Sequence, residues 1–257
     1  MHKWRTYLYM FGILYFYIIN KMHNMKHLNQ FITEYIIKKK LDKPIDSEDH
    51  YEYTPKTKKE LINIIKTLLD KGETNLNCID TSDITNMSFL FMDVKINNVD
   101  VSKWNVSNVK DMYRMFYNCE NFNCNLSNWD VSNVEDMTGI FEYCKNFDCD
   151  LSNWDVSKVE NMERMFYYCE NFNCDLSNWN VSKVKNMSYM FSECIKFDCD
   201  LSNWDVSNVE DMQNMFGGCL KFKGKGLKNW NVSKVKDMNY IFDDCTSLKN
   251  KPSWYKE

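Results

Sequence analysis

The chain has 257 residues, of which 44% are hydrophobic and 26% charged, so disorder throughout is excluded and one large or two small folded domains are expected. Its net charge of −4 at pH 7 provides no basic surface of the kind nucleic acids require, and we predict no nucleic-acid partner. Glycine (7) and proline (3) are scarce beside 16 phenylalanines, 15 tyrosines and 8 tryptophans, which indicates an interior filled by bulky side chains.

Residues 1–24 contain an apolar run at 6–19 that follows a short basic start, as in the first two parts of a secretory signal. The run is shorter than the roughly 20 residues of a spanning helix, and no small-residue cleavage site follows it. Two interpretations stay open: an atypical signal or uncleaved anchor, or an extension upstream of a true start at Met22 or Met25.

Residues 25–50 are predicted to form a basic helix and a linker. Across residues 1–41 seven lysines and arginines stand against Glu34 alone. Such a basic amphipathic stretch favours association with an anionic membrane surface, and the alternative is a helix with one solvated basic face.

Residues 51–78 are predicted to be an N-terminal helical cap. Thr57 and Glu60 have capping-box spacing, and apolar residues at positions 61, 64, 65, 68 and 69 follow them at helical intervals. We expect an amphipathic helix over residues 57–71 that closes the N-terminal face of the repeats.

Residues 79–250 carry an internal repeat of about 25 residues, with about seven units. The tryptophan column shows it: Trp104, Trp129, Trp154, Trp179, Trp204 and, after 26 residues, Trp230. The extra residue falls in the segment 223–226. The unit at 79–103 is a degraded first unit in which Ile79 replaces the tryptophan, and residues 251–257 are the C-terminal cap.

The apolar positions of one unit have two periods. Those of the first half follow the L-x-x-L-x-L spacing of the strand in leucine-rich repeats, namely Leu126, Trp129 and Val131. Those of the second half step by three or four, namely Val134, Met137, Ile140, Phe141 and Cys144. Ser132 and Glu135 fit a capping box at the start of that half. We predict an α/β solenoid: a leucine-rich-repeat-like right-handed coil of short parallel strands and short helical turns, with an N-terminal helical cap.

Three columns of this pattern are predicted to form the structural core. They are Trp104, Trp129, Trp154, Trp179, Trp204 and Trp230, then Phe116, Phe141, Phe166, Phe191, Phe216 and Phe242, then Cys119, Cys144, Cys169, Cys194, Cys219 and Cys245. A cysteine on an apolar face acts as a small hydrophobe. We therefore expect mostly reduced thiols.

A second cysteine column comprises Cys124, Cys149, Cys174 and Cys199, and Cys78 stands alone. Its C-x-x-x-x-C spacing to the first column is not that of a zinc knuckle, and the four histidines all precede the repeats. We predict no catalytic residue, no cofactor and no metal ligand, while metal binding or oxidation at this column stays open as an alternative.

A polar column is predicted to face outward beside the core, and we take it as the candidate binding surface. Its members are Asn128, Asp130, Asn153, Asp155, Asn178, Asn180, Asn203 and Asp205. The alternative is a solvated ladder of hydrogen-bonding side chains. Variation between units is concentrated in two adjacent slots, represented by Tyr113 and Arg114 in one unit and Ser188 and Tyr189 in another.

The phrase LSNWDVSNVEDM-x-x-I-F-x-x-C-x-x-F, found in variants across residues 79–254, resembles the BspA-like leucine-rich repeat surface proteins, in the branch with units of about 25 residues. The resemblance implies a leucine-rich-repeat-like solenoid and attachment or recognition at a cell surface. It carries no catalytic residues. The second cysteine column departs from that family's pattern.

We expect a non-enzymatic repeat protein that presents a recognition surface for protein or glycan partners, of surface or adhesion type. The first alternative is an intracellular scaffold or interaction protein with reduced cysteine ladders, and a weaker one is a metal-binding or redox-sensing repeat. We expect a monomer at the cell surface or membrane, with membrane association through residues 1–41, or in the cytoplasm if translation starts at Met22 or Met25.

Overall fold

The computed structural model describes residues 51–95 and 99–256. The interpretations of residues 1–24 and 25–50 therefore lie outside the described residues. Within the described ranges the regular elements are one α-helix, α1 (Lys58–Asp70), and one 3₁₀-helix (Leu227–Asn229); the remainder is turns joined by isolated parallel bridges.

Helix α1 begins at the capping residue that the sequence indicates. Thr57 Oγ1 accepts a hydrogen bond from the N–H of Glu60 at 3.2 Å, while the Glu60 carboxylate accepts from the N–H of Lys56 at 2.7 Å, one residue before the cap. Leu61 and Leu68 are among its buried residues, so one apolar face of α1 is covered.

The repeat unit contains neither the strand nor the helical turns predicted for it. In place of a strand, Trp129 N–H donates to Leu126 C=O at 3.0 Å, which closes a turn. In place of helical bonds, Met115 N–H donates to Met112 C=O at 3.1 Å, again a three-residue step. The unit is thus a succession of tight turns, and its apolar spacing arises from turn corners.

Asparagine and aspartate side chains set these corners. In one unit, Asn125, Asp130 and Asp136 each accept a hydrogen bond through Oδ1 from the N–H two residues later, at 3.0, 3.1 and 2.8 Å. The N–H of Ser132 is one of the donors, so the predicted capping box of Ser132 with Glu135 is wrong, and Asp130 makes the turn instead. These Asx turns compete successfully with helix and strand.

Equivalent residues of successive units lie side by side. The parallel bridges that show this are Tyr53↔Ile79, Asn75↔Asp100, Asn86↔Asp111, Asp111↔Asp136, Asp136↔Asn161, Asn161↔Asn186, Asn186↔Asp211 and Asp211↔Asp237. The first two carry this side-by-side pairing upstream, from Asp100 to Asn75 and from Ile79 to Tyr53. The handedness of the stack and its kinship with leucine-rich repeats stay predictions.

A ladder of main-chain hydrogen bonds joins each coil to the next. From one coil, the N–H groups of Met112, Arg114, Phe116 and Asn118 donate to the C=O groups of Asp136, Thr138, Ile140 and Glu142 at 3.1, 2.9, 2.9 and 2.8 Å. In a β-sheet strand, donors and acceptors alternate along each edge. Here the four N–H groups of the ladder all point toward the C-terminal end, while a flanking bond from Glu135 N–H to Lys110 C=O at 2.9 Å runs the other way.

Left-handed residues produce this one-sided arrangement. Arg114 (φ 49°) and Asn118 (φ 58°) hold the third position of their turns, where a positive φ turns the next peptide over. Equivalent residues do the same in later coils, namely Gly139, Tyr143, Arg164, Tyr168, Tyr189, Glu193, Asn214, Gly218, Tyr240 and Asp244. Most are not glycine, so the stack offsets about 1–2 kcal/mol of strain at each.

The tryptophans, phenylalanines and cysteines assigned to the core are all buried. Trp179 makes two contacts that the sequence does not indicate. Its Nε1–H donates to the C=O of Leu151 in the preceding coil at 2.9 Å, and its ring stacks on Trp154 with 6.5 Å between ring centres. Trp254 in the C-terminal cap stacks on Trp230 at 6.3 Å in the same way.

Gly226 absorbs the extra residue of the last unit. Its φ is 94°, and a Cβ there would lie 2.2 Å from the backbone nitrogen of Ser202. Only glycine permits this approach. The 3₁₀-helix that follows returns Trp230 to the column, 6.5 Å from Trp204.

Substitution of Trp179 by alanine should lower the free energy of unfolding by about 3–5 kcal/mol, because it opens a cavity and removes the donor to Leu151. Chemical denaturation of the wild type and the variant measures this change. The adjacent residue Asn178 is exposed and gives the control: Asn178→Ala should change the free energy of unfolding by no more than about 0.5 kcal/mol. A loss below about 1 kcal/mol for Trp179→Ala would contradict an interior position.

Candidate functional site

The predicted binding column is exposed along its whole length, as judged at Asn128, Asp130, Asn153, Asp155, Asn178, Asn180, Asn203 and Asp205. The four members that follow a tryptophan stabilise turns, because each of these Asp or Asn side chains accepts a hydrogen bond from a serine N–H. The distances are 3.1 Å at Asp130, 3.0 Å at Asp155, 3.2 Å at Asn180 and 3.0 Å at Asp205. The members that precede the tryptophan include Asn203, which donates to Ser177 C=O at 3.3 Å.

At Asp155 and Asp205 these hydrogen bonds favour the ionised carboxylate. The bonds from Ser157 and Ser207 lower the pKa of Asp155 and Asp205 below the usual value. Each carboxylate therefore offers its second oxygen to solvent or to a partner. Along the column neutral asparagine separates the charges, so the column is polar without being strongly acidic.

A second surface, of which the sequence indicates only the variable slots, collects aromatic and cationic side chains from four successive coils. We name it the Tyr–Arg face, and its members are Tyr113, Arg114, Tyr117, Tyr143, Arg164, Tyr167, Tyr168 and Tyr189. All are half-buried. The variable slots supply Tyr113, Arg114, Arg164 and Tyr189, and the positions just before the core cysteines supply the other four tyrosines. The clustering of tyrosines within one stretch of the repeats is the sequence feature that could have indicated this face.

The side chains of the Tyr–Arg face touch one another across coils. Within one coil the Arg114 guanidinium lies 5.0 Å from the ring centre of Tyr117, and between coils that of Arg164 lies 5.1 Å from the ring of Tyr189. Tyr143 bridges the two halves, with its ring 5.6 Å from Tyr117. Cation–π and edge contacts of this kind restrict the side chains and preorganise the surface.

An ion pair joins half-buried Arg114 of the face to the buried side chain of Glu142. Arg114 Nε is 3.2 Å from Oε2 of Glu142, without hydrogen-bond alignment. Burial raises the pKa of Glu142, and the neighbouring Arg114 and Arg164 charges oppose that rise. Gly139 makes room for the pair, because a Cβ there would lie 2.8 Å from the Glu142 oxygen.

The first cysteine column donates hydrogen bonds as well as filling space. The thiol of Cys169 lies 3.0 Å from the C=O of Phe141 in the preceding coil, and Cys144 and Cys194 repeat the contact at 3.0 Å. Burial raises the pKa of these thiols well above the usual value, and that of Cys119 to about 12. They are therefore neutral donors at physiological pH.

The second column alternates between two arrangements. Cys149 and Cys199 donate to the C=O of the cysteine one coil earlier, Cys149 to Cys124 at 2.6 Å and Cys199 to Cys174. Cys174 instead accepts the N–H of Leu151 at 3.1 Å. Burial raises the pKa to about 11 at Cys124 and Cys174 and to about 12 at Cys149 and Cys199.

All eleven cysteines are free thiols, and the raised pKa values leave little thiolate for nucleophilic or metal chemistry at neutral pH. In residues 51–95 and 99–256 no group of three or more His, Cys, Asp or Glu side chains is placed to hold a metal ion. In the same residues no helix has the length and hydropathy of a membrane span.

Comparison with known proteins agrees with the extent of the repeats. The model of the family described as Mycoplasma protein of unknown function, DUF285, matches residues 60–167 and 136–255. The chain belongs to this family. Neither a curated protein nor a solved structure matches it. The two overlapping DUF285 matches cover α1 from Glu60 onward and the stacked coils, so the family pattern includes both.

Stability should fall as the pH rises above about 9, because the buried thiols stay protonated in the folded state while an unfolded chain releases their protons. The raised pKa values of Cys149 and Cys199, about 12, set the upper end of this window, and below pH 9 the contribution is fully present. Chemical denaturation at pH 8 and at pH 10.5 measures the loss in the free energy of unfolding. Each fully buried thiol contributes about 2 kcal/mol to this loss.

Removal of one thiol gives the control for this pH dependence. Cys169→Ala should show a smaller loss between pH 8 and pH 10.5 than the wild type, although it starts from lower stability. An equal loss in the variant and the wild type, or none in either, would show that the column does not hold protonated thiols.

Proposed function

We propose that this DUF285 protein is a non-enzymatic repeat protein that presents a recognition surface to protein or glycan partners. The Tyr–Arg face carries the proposal. Tyrosine and arginine are enriched at the centres of protein interfaces, where they contribute most of the binding energy. Tyrosine also gives a large rigid contact area at a low entropy cost.

The positions on this face support a role beyond folding. Slots that hold Tyr113 and Arg114 in one coil hold Gln213 and Asn214 in another, so the coil does not require an aromatic ring or a guanidinium there. The stack fixes the backbone while these side chains differ from coil to coil. A rigid scaffold with variable outward slots is how repeat proteins build binding surfaces.

The proposal also covers the type of repeat fold and the place where the protein acts. We propose a right-handed solenoid of the BspA-like type, acting in attachment or recognition at a cell surface. Coils joined in register by main-chain hydrogen bonds, and the repeated tryptophan and phenylalanine columns, support it. The polar column of Asn128 and Asp130 would add hydrogen-bonding groups, because it is exposed on the same stack of coils.

One observation favours a second function, that of an intracellular scaffold or interaction protein. All eleven cysteines are unpaired thiols, and exported proteins of oxidising compartments more often pair theirs. The same surface would then bind an intracellular protein. A metal-binding or redox-sensing role has less support, since burial keeps the thiols protonated.

Capture experiments with the full chain test the Tyr–Arg face. Immobilised wild type should retain a binding partner from surface extracts or a glycan array, and the double variant Tyr167→Ala, Tyr189→Ala should retain at least about tenfold less, since each tyrosine is a candidate hot spot. Asn153→Ala, Asn178→Ala is the matched control on the polar column and should retain most of the binding.

Equal capture by the aromatic double variant, with loss in the asparagine variant, would place recognition on the polar column. Circular dichroism of each variant checks that its fold is intact. Fractionation of cells distinguishes the two proposed functions. A surface protein and an intracellular scaffold would use the same contact surface but would be found in different compartments.

A further inference from the structure

Four buried polar atoms beneath the Tyr–Arg face make no hydrogen bond within the part of the chain that the structure describes. They are Arg114 Nε, Thr138 Oγ1, Glu142 Oε2 and Arg164 Nε. Among the buried side-chain nitrogen and oxygen atoms of the described residues, only Tyr53 Oη shares this condition. Native proteins leave few buried polar atoms unpaired. Their concentration at one place indicates a binding site.

Three successive coils bring these atoms together. The N–H of Arg114 donates to the C=O of Thr138 at 2.9 Å, and the N–H of Gly139 donates to the C=O of Glu163 at 2.8 Å. Thr138 and Gly139 hold slots that carry larger side chains in both neighbouring coils, including Arg114 and Arg164. The middle coil therefore lies lower than its neighbours and forms a notch between two arginines.

The side chains of the notch offer both donors and acceptors. We define the notch by Arg114, Thr138, Gly139, Glu142 and Arg164. Thr138 is 6% exposed and Glu142 is 2% exposed, so both have nearly lost contact with water. A carboxylate only accepts hydrogen bonds, an arginine Nε–H only donates, and a hydroxyl does both. A partner that pairs with these groups must itself donate and accept.

The charges around the notch balance. Arg114 Nε lies 3.2 Å from Glu142 Oε2, and Arg164 Nε lies 3.6 Å from Glu163 Oε1. Neither contact is a hydrogen bond, so both Nε–H groups remain available as donors. Two cations against two anions leave no net charge that would attract a strongly charged ligand. The partner that fits the notch is polar and neutral.

Arg114 controls access to the floor of the notch. Its side chain lies across Gly139, with Cγ 3.0 Å from the position that a Cβ would take there. A partner therefore reaches Glu142 when Arg114 turns aside. The contacts that Arg114 gives up are the ion pair without hydrogen-bond alignment and the cation–π contacts to Tyr113 and Tyr117. Side-chain rotations of this size commonly accompany binding.

We propose that the notch binds one sugar unit of a neutral glycan. The inference rests on the recognition function proposed for the Tyr–Arg face, and it selects the glycan from the two partner classes given there. Hydroxyl groups of the sugar would donate to the Glu142 carboxylate and accept from Arg164 Nε–H. The apolar face of the sugar ring would pack on the half-buried rings of Tyr143 and Tyr167 beside the notch.

The spread of the unpaired atoms favours a sugar over an amide side chain of a protein partner. The atoms come from successive coils, whose main chains lie about 4.8 Å apart. An amide carries its oxygen and nitrogen on one carbon and reaches neighbours in one direction only. A sugar ring carries hydroxyls around its circumference, each both a donor and an acceptor. A sulfate or carboxylate would bring like charge to Glu142, which excludes acidic glycans.

Binding of the labelled full chain to an oligosaccharide array tests the notch. The array holds neutral oligosaccharides of hexoses and N-acetylhexosamines beside sulfated and carboxylated ones. The wild type should bind at least one neutral member saturably and the charged members no more strongly. Glu142→Gln should weaken this binding at least about tenfold, because an amide nitrogen cannot accept a hydrogen bond.

Glu193→Gln is the matched control for Glu142→Gln. Glu193 is also half-buried and holds the slot of Tyr143 and Tyr168, two coils farther along the stack than Glu142. Its substitution removes a carboxylate from the same side of the molecule without touching the notch. This variant should bind the array as the wild type does.

Thr138→Val separates a ligand-binding role from a structural one, and it replaces Glu142→Gln if that variant fails to fold. It should weaken binding to the array at least about threefold. In the free protein it should leave the denaturation midpoint unchanged or raise it, because it removes a buried hydroxyl that has no partner in the fold. A hydroxyl that only the fold requires would give a lower midpoint and unchanged binding.

The results separate this inference from the function proposed for the face. Capture of a protein that depends on Tyr167 and Tyr189, without binding to any neutral oligosaccharide, would overturn the sugar site and leave recognition by the face standing. Stronger binding of the charged oligosaccharides, or neutral binding that Glu142→Gln and Thr138→Val both leave unchanged, would also overturn the sugar site. So would loss of protein capture in Glu142→Gln with no signal on the array, because the notch would then receive a protein side chain.

Discussion

The one-directional ladder of main-chain hydrogen bonds between coils is the interaction on which the rest of the structure depends. It requires a residue of positive φ twice in each coil, as at Arg114 and Asn118, and only a neighbour in register can offset the strain at these positions. Because every ladder N–H points the same way, each coil needs a successor that supplies carbonyls. The repeat length is thereby constrained: the one extra residue of the 26-residue unit lies outside the ladder, at Gly226, and Met212 N–H still donates to Asp237 C=O at 2.8 Å.

The same constraint explains the choice of core residues. The ladder leaves other carbonyls of each coil facing the interior, and a side chain 28 residues later satisfies them: the Trp179 indole at Leu151 and the Cys169 thiol at Phe141. Each of these carbonyls also accepts a main-chain N–H, from Trp154 at Leu151 and from Cys144 at Phe141, so the side chain adds a second hydrogen bond that phenylalanine or valine could not make. Tryptophan and cysteine therefore recur for their donors as much as for their volume, and burial keeps the thiols protonated so that they can donate.

Much of this could be predicted from the sequence. The period, the buried columns and a helix near residues 57–71 follow from apolar spacing and from the Thr57 cap, against Lys58–Asp70 in the structure. The absence of the predicted strand and helical turns could not be foreseen, because tight turns place apolar side chains at the same short intervals as those elements. An aspartate in an Asx turn, such as Asp130, also looks in sequence like any loop residue. Nothing in the sequence marks Arg114 as left-handed. The variable slots of the Tyr–Arg face stand out in the sequence, but its remaining tyrosines do not, because they come from other slots of successive units, which only the stacking brings together.

Removal of one whole coil tests the register most directly. Deletion of residues 151–175 joins Asp150 to Leu176, which preserves every ladder contact except those of the lost coil. The account predicts a shorter protein that still unfolds in one cooperative transition, whereas deletion of residues 151–162 should abolish folding because it shifts all later coils out of step. If both deletions disrupt the protein equally, as followed by circular dichroism during denaturation, the coils do not stack in a common register and the account is wrong.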